Sequence, residues 1–342
     1  MSEISALDEV DLMLLDALHA NPRGSFERLG PALGISAATA ARRWQRLSES
    51  GRAWVSSVPG PQVALVGAVC EVRAQPGQAV RVASGLADLP QVISVYGTDG
   101  DFDLHTLVLC DGPAALGTLL LETLPAVPGI ARVRSTVALQ WFSGIHWRLG
   151  AIDSDQQRSI SEDSGSEPRK PVRHRTFEPA DRALFLALQH DGRARYRDLA
   201  RDLGTTDHLV RRHLDTLIRR GMLAFRTDFT RGAGGWPTEY VLWLSVPHRD
   251  LSTAGTEIAS WPETRICLST VGRANLMLMA QVHRPADLTN VLDRVITALP
   301  DADVLDQRLV LRPFKSWGRL LDATGHATGV VPVNPWAAAT LS

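Results

Sequence analysis

The sequence predicts an α+β chain in which winged helix-turn-helix units alternate with two-layer βαββαβ units in the order A–B–A′–B′. Three observations predict it. The chain repeats itself after about 170 residues. The first part of each repeat spaces its apolar residues as helices do. The second part changes to the two-residue period of strands, interrupted by two helical stretches.

Shifting the chain by 170 residues aligns 7–55 with 177–225 without a gap. Identical pairs include Asp11/Asp181, Leu14/Leu184, Leu18/Leu188, Arg23/Arg193, Leu29/Leu199, Leu33/Leu203, Gly34/Gly204, Arg42/Arg212, Leu47/Leu217 and Gly51/Gly221. A shift of 172 then pairs Pro90/Pro262, Gly100/Gly272, Leu104/Leu276, Pro113/Pro285, Leu116/Leu288, Leu120/Leu292 and Phe142/Phe314. Most of these pairs are apolar or glycine, where a helical core and tight turns need them.

Segment A carries three apolar runs at helical spacing: Val10, Leu14, Leu15 and Leu18; Phe26, Leu29 and Leu33; Ala40, Trp44 and Leu47. Between the second and third runs lies Gly34-Ile35-Ser36. Glycine takes the positive φ that ends a helix, and serine caps the next one. Two short helices joined by so few residues describe a helix-turn-helix. In A′ the same places hold Tyr196, Leu199 and Leu203, then Gly204-Thr205-Thr206, then Val210, Leu214 and Leu217.

Segment B reads as strand 63–73, helix 77–89, strand 91–98, turn Gly100-Asp101, strand 103–110, helix 113–125 and strand 133–142. That order is a ferredoxin-like βαββαβ sandwich. B′ repeats it over 238–314, with helices near 251–260 and 285–299. The chain thus divides into a helix-turn-helix domain (1–58), a βαββαβ domain (62–148), a flexible linker (149–176), a second helix-turn-helix domain (177–230), a second βαββαβ domain (238–322) and a tail (323–342). The linker is polar, rich in Ser and charge, and lacks apolar periodicity. The tail, broken by Gly and Pro, reads either as draped on a neighbour or as loose, with Trp336 its candidate anchor.

Composition narrows the class. Of 342 residues 44% are hydrophobic and 21% charged, which excludes wholesale disorder and collagen-like repeats. The longest apolar runs, such as Val63 to Cys70, are too short to cross a bilayer, and the acidic start lacks a secretory pattern. Cys70, Cys110 and Cys267 form no even disulfide framework and no CxxC pair. A cytoplasmic protein without membrane contact, metal or other cofactor is expected.

The net charge of −1 makes no bulk case for nucleic acid, but totals hide patches. Residues 1–55 hold six Arg against seven Asp and Glu, while 173–226 hold twelve against seven. With its apolar residues inward, the third helix of A presents Ala37, Ala38, Ala41, Arg42, Gln45 and Arg46, with Arg43 beside them. That of A′, capped by Thr206, presents Asp207, His208, Arg211, Arg212 and Asp215. Such a helix enters a major groove, where arginine meets guanine and small residues meet thymine methyls. The plainer reading is an arginine-rich solvated face; two copies in a helix-turn-helix context favour double-stranded DNA. Local charge favours A′ as the stronger binder, leaving A as a weaker half-site reader or a packing element.

These residues resemble the Lrp/AsnC (feast/famine) transcriptional regulators. The resemblance rests on Leu7-Asp8-x-x-Asp11, Arg23, Leu33-Gly34-Ile35-Ser36 and Arg42-Arg43-x-x-Arg46-Leu47. It continues through Leu89-Pro90-x-Val92, Gly100-Asp101-Phe102-Asp103-Leu104 and Pro128-Gly129-Ile130. It covers about 7–142 and, more loosely, 177–322. The family pairs one helix-turn-helix with one ligand-binding (RAM) domain, so this chain resembles a fused pseudo-dimer. The resemblance implies RAM domains paired through their sheets, assembly into homo-oligomers, and a small-molecule effector, usually an amino acid, at the interfaces.

The family's effector loop corresponds here to Gly100, Asp101, Phe102 and Asp103. An open turn there offers amides to a carboxylate and carboxylates to an ammonium; equally, Gly and Asp suit a plain hairpin turn. B′ has Gly272, Arg273, Ala274 and Asn275, so that half has either lost amino-acid binding or selects a more acidic ligand. Effector binding is expected to shift the placement of the two heads or the assembly state.

The second reading is an enzyme. Sirohaem decarboxylases share the fused architecture and bind a tetrapyrrole through a Tyr-x-Arg-x-His-like stretch. This chain has Tyr96-Gly97-Thr98-Asp99-Gly100 and Leu268-Ser269-Thr270-Val271-Gly272 instead, so His105 and His283 read as strand or surface histidines. No Ser/His/Asp grouping, HExxH or P-loop is present. The expectation is a non-enzymatic regulator.

Overall fold

The structure is a computed structural model that describes residues 6–144, 147, 149–161 and 175–338. In chain order the first copy has α1 (Glu9–Ala20), α2 (Phe26–Ala32), α3 (Ala37–Glu49) and β1 (Ala53–Pro59). There follow β2 (Val66–Ala74), α4 (Ala79–Ala87), β3 (Val92–Thr98), β4 (Leu104–Cys110), α5 (Pro113–Thr118), a π-helical turn and α6 (Leu124–Ala126), then β5 (Ile130–Ser143). After α7 (Ser154–Ser161) the second copy has α8 (Pro179–His190), α9 (Tyr196–Asp202), α10 (Asp207–Arg219) and β6 (Leu223–Phe229). It ends with β7 (Thr238–Ser245), α11 (Leu251–Ala259), β8 (Thr264–Thr270), β9 (Leu276–Val282), α12 (Leu288–Ala298), β10 (Asp303–Ser316), β11 (Arg319–Leu321) and β12 (Ala327–Val330). The described elements gather into two compact units, one holding both heads (7–64 and 148–230) and one holding both sandwiches (65–147 and 231–342).

In the head unit both helix-turn-helix motifs bury their apolar faces, with Leu14, Leu18, Leu29, Ala40 and Leu47 buried in the first copy and Leu184, Leu188, Leu199, Val210 and Leu217 in the second. Gly34 and Gly204 sit at φ 69° and 63°, the left-handed conformation that a side chain would strain. The wings do not stand alone. β1 pairs antiparallel with β6 from Ala53↔Phe229 to Pro59↔Leu223, so each head satisfies the other's strand. Two arginines then clasp the turns. Arg23 donates to the carbonyls of Gly192 and Ala194, and Arg193 donates to those of Pro22 and Gly24 at 2.6 and 2.8 Å. Arg23 lies over Tyr196 and Phe225, and Arg193 over Phe26 and Trp44. Burial, reinforced by the facing Arg23, pushes the Arg193 pKa down to about 10.

The flexible linker expected over 149–176 is corrected in its first part. Asp16 accepts backbone N–H bonds from Leu149, Ala151 and Ile152 at 3.0, 2.8 and 3.2 Å. Ile160 of α7 is fully buried, and Asn21, Arg28 and Gln156 tie α7 to α1 and α2. The second copy has Leu186 where Asp16 stands, so only the first head has this anchor. Residues 162–174 of the expected linker lie outside the described residues.

In the sandwich unit each βαββαβ order is present, and the two sheets share their long strands. β5 pairs with β2 over 130–138 and with β8 over 138–143. β10 likewise pairs with β7 over 303–309 and with β3 over 310–315. Eight strands thereby close into a ring, β10-β3-β4-β2-β5-β8-β9-β7 and back to β10. Helices cover one face of each sheet over two apolar cores, around Val72, Leu86, Val95 and Val108 and around Leu242, Ile258, Leu278 and Val295. The tail, expected to drape or stay loose, is tied down. β11 and β12 form a hairpin on β10, and Pro335 and Ala337 carbonyls accept from Asp111 and Gln91. Val333 is buried, while Trp336 is only half-buried.

Across β2, β4 and β3 the other face carries Glu71, His105 and Tyr96 in one row. His105 also meets Trp243 of the second copy at 6.3 Å between ring centres. Its imidazole is buried and its Nε2 has no hydrogen-bond partner among the described residues. Burial pushes the His105 pKa down to about 3, whereas an unfolded histidine titrates near ~6.5. Between those values the unfolded chain binds a proton that the folded chain refuses. This contribution to stability is therefore complete above pH ~6.5 and is lost as the pH falls towards 3. The second copy holds Met277 at the equivalent place. We expect His105→Met to flatten the acid limb of a Tm-against-pH curve between about pH 6 and 4, with little change near pH ~8.

Candidate nucleic-acid interface and ligand loop

Each third helix starts at a serine or threonine cap. Ser36 Oγ accepts from Thr39 N at 3.1 Å, and Thr206 Oγ1 accepts from Leu209 N at 3.4 Å. Ala40, Trp44 and Leu47 of α3 and Val210, Leu214 and Leu217 of α10 turn inward. That leaves Ala38, Arg42 and Gln45 exposed on α3, with Ala37 half-buried, and His208, Arg211 and Arg212 exposed on α10 with Thr206.

Not every expected arginine is free to read a base. Arg43 Nη1 reaches Asp8 Oδ2 at 2.6 Å and Asp11 Oδ1 at 2.8 Å. Arg46 Nη2 reaches Asp11 Oδ2 at 2.9 Å. Arg43 and Arg46 therefore act as clamps between α3 and α1: Arg43 is half-buried there, whereas Arg46 keeps its expected exposed place but is ion-paired. Gln45 donates to Glu49 along the same helix. In the second head the clamp is His213, whose Nε2 lies 2.6 Å from Asp181 Oδ1, while Asp181 Oδ2 accepts from Glu178 N. Among the described residues Arg42, Arg211 and Arg212 have no ion pair and no side-chain hydrogen bond. Head two thus offers two free guanidiniums from this cluster and head one offers one.

The two turns at the effector loop share one construction. Gly100 and Gly272 adopt φ 84° and 120°. Thr98 N donates to Asp103 O, as Thr270 N donates to Asn275 O. Thr98 Oγ1 donates to Phe102 O, as Thr270 Oγ1 donates to Ala274 O. Asp103 Oδ2 accepts from Ala74 N at 2.8 Å, and Asn275 Oδ1 accepts from Val246 N at the same distance. Asp103 and Asn275 are therefore turn-pinning groups, and the exchange of Asp for Asn says nothing about ligand charge. This corrects the expectation that both acids of the first loop face a ligand. Asp101 and Arg273 remain exposed.

The first loop has neighbours that the sequence reading missed. Phe102 is buried beneath guanidiniums, with Arg134 at 4.7 Å from its ring and Arg73 and Arg132 at 5.9 Å. Arg134 in turn donates to the buried Glu71 at 2.7 Å, and burial raises the Glu71 pKa. The second copy has Ser245, Val304 and Asp306 in place of the three arginines. His283 lies against Trp236, with Nδ1 at 2.7 Å from Gly235 O. Among the described residues no group of three or more His, Cys, Asp or Glu is placed to hold a metal, and no helix is long and apolar enough to cross a membrane.

Because Asp11 is buried between two guanidiniums, we expect Asp11→Ala to lower stability by about 1–3 kcal/mol in urea unfolding. A double-mutant cycle with Arg43→Ala should read a coupling of about 0.5–3 kcal/mol.

Comparison with known proteins matches residues 7–48 to the AsnC-type helix-turn-helix domain and 67–143 to the Lrp/AsnC ligand binding domain. The HTH-type transcriptional regulator Ptr1 of Methanocaldococcus jannaschii is 27% identical over 139 residues, 40% of this chain and 94% of that protein. The Bkd operon transcriptional regulator of Pseudomonas aeruginosa is 30% identical over 144 residues, again 40% of this chain and 94% of that protein. A crystal structure of the siroheme decarboxylase NirDL overlays 90% of this chain and 93% of its own with a TM-score of 0.57 at 14% identity. That likeness is one of fold.

Proposed function

Residues 7–143 carry the two domains of the Lrp/AsnC family, and from that premise we propose that the chain is a DNA-binding transcriptional regulator responding to a small effector. The observation that carries the reading is the pair of capped third helices whose outward faces hold Arg42, Arg211 and Arg212 without an ion pair or side-chain hydrogen bond among the described residues. Arginine in that position donates to guanine O6 and N7 in the major groove, and the flanking small or polar residues meet neighbouring base edges. Ala37, Ala38, Gln45, Thr206 and His208 belong to the same faces. The chain is read as a regulator and not an enzyme, acting in the cytoplasm on double-stranded DNA.

The unequal faces favour an operator with two different half-sites. The wing pairing and the arginine clasp hold the heads together, so an effector that changed their separation would first have to break both. The proposal therefore places effector control in affinity for DNA as a whole or in assembly state. The ligand site is the first loop, Gly100 to Phe102, with Gly272 and Arg273 its counterpart. Homo-oligomer formation is part of the proposal.

Gel shifts with DNA from upstream of the chain's own gene and its neighbours test the reading. Arg211→Ala with Arg212→Ala should weaken binding tenfold or more, since each good base contact is worth about 1–3 kcal/mol. Arg42→Ala should cost less, and equal losses would remove the asymmetry. A panel of amino acids should include one that changes either operator affinity or oligomer size, read by gel shift and by light scattering.

A further inference from the structure

Among the described residues of the head unit only one large apolar side chain is markedly exposed, and it stands on α10. Leu209 is 43% exposed. All the other large apolar residues with comparable exposure belong to the sandwich unit. A single surface leucine needs no explanation in general, but the position of this one does. It lies in the first turn of α10, three residues before Arg212 and thus beside it on the helix surface. The equivalent residue in the first head is Thr39, whose Oγ1 is held by Ser36 Oγ at 2.9 Å. Leu209 makes no such local bond, and it leaves an apolar spot in a face otherwise composed of Thr206, Asp207, His208, Arg211 and Arg212.

The major groove offers one apolar group, the C5-methyl of thymine. We propose that Leu209 recognises thymine, burying its side chain against that methyl beside the base pair approached by Arg212. The inference rests on the DNA-binding reading above and sharpens it. The second head selects a thymine next to its arginine-read base through a larger apolar side chain than Thr39, whose hydroxyl is tied to Ser36, offers in the first head. Leu209 acts through burial alone, so its effect does not depend on salt, unlike that of the arginines beside it.

Removing one methyl tests the proposal. Duplexes are first selected from a random-sequence pool with the full chain, and each thymine of the tightest duplex is then replaced singly by deoxyuridine. Burial of one methyl is worth enough to change binding about three- to fivefold. For the unmodified protein one such replacement should weaken binding by about that factor. Leu209→Ser should already bind the thymine duplex more weakly and be indifferent to the same replacement, with thermal stability unchanged. A replacement series without effect on the unmodified protein, or one whose effect persists in Leu209→Ser, overturns the role of Leu209 while leaving DNA binding intact. A pool that yields no enriched duplex overturns the DNA-binding reading itself.

Discussion

A β-strand with an open edge leaves a row of backbone donors and acceptors without partners, and this chain answers that constraint with its own second copy. β1 finds β6, and the outer edges of the two sandwich sheets find each other through β5 and β10. The solution sets strand length: β5 and β10 run for 14 residues because each must serve two sheets in turn. A closed ring has no edge to offer a stray strand. The same logic explains why the pairing positions repeat, with Ala138↔Thr270 mirrored by Val310↔Thr98.

Once both copies reside in one chain, symmetry is needed only where backbone meets backbone. Side chains that face inward or outward from those pairings have diverged. Glu71 corresponds to Trp243 in the second copy, His105 to Met277, and Arg43 to His213. The ion pair between the buried Glu71 and the exposed Arg134 exists in one half alone. Lys315 illustrates how far a single position can specialise: it is buried, donates to the carbonyls of Ala87 and Leu89 that end α4, and has its pKa lowered by burial to about 7. Gly34, Gly51, Pro90 and Gly100 at turns, and the aspartates that clamp the third helices, stay the same in both copies.

Much of the fold was legible because burial imposes a period. The helices of each head, the βαββαβ order and the change of period between them follow from the spacing of Leu, Val and Ile. Strand sharing was not legible, since no local pattern tells which edge another strand will meet. α7 escaped because a helix of eight residues with one buried side chain, Ile160, has no periodicity to detect. Of the candidate site, the outward place of Arg42, Arg211 and Arg212 was readable from the helical wheel. Arg43 and Arg46 were misjudged because a wheel shows direction but not the carboxylate waiting there. The signal existed all the same: Asp11/Asp181 and Arg23/Arg193 are charged identities in a repeat dominated by apolar ones, and each proves to hold two elements together. The guanidiniums around Phe102 carried no such mark, being present in one copy only.

The unequal number of unengaged guanidiniums on α3 and α10 gives the molecule a direction. A symmetric dimer laid on a duplex looks the same from both ends and has no left or right. On the DNA-binding reading proposed above, a reader with one richer and one poorer helix settles in a single polarity, and so faces one flanking gene differently from the other.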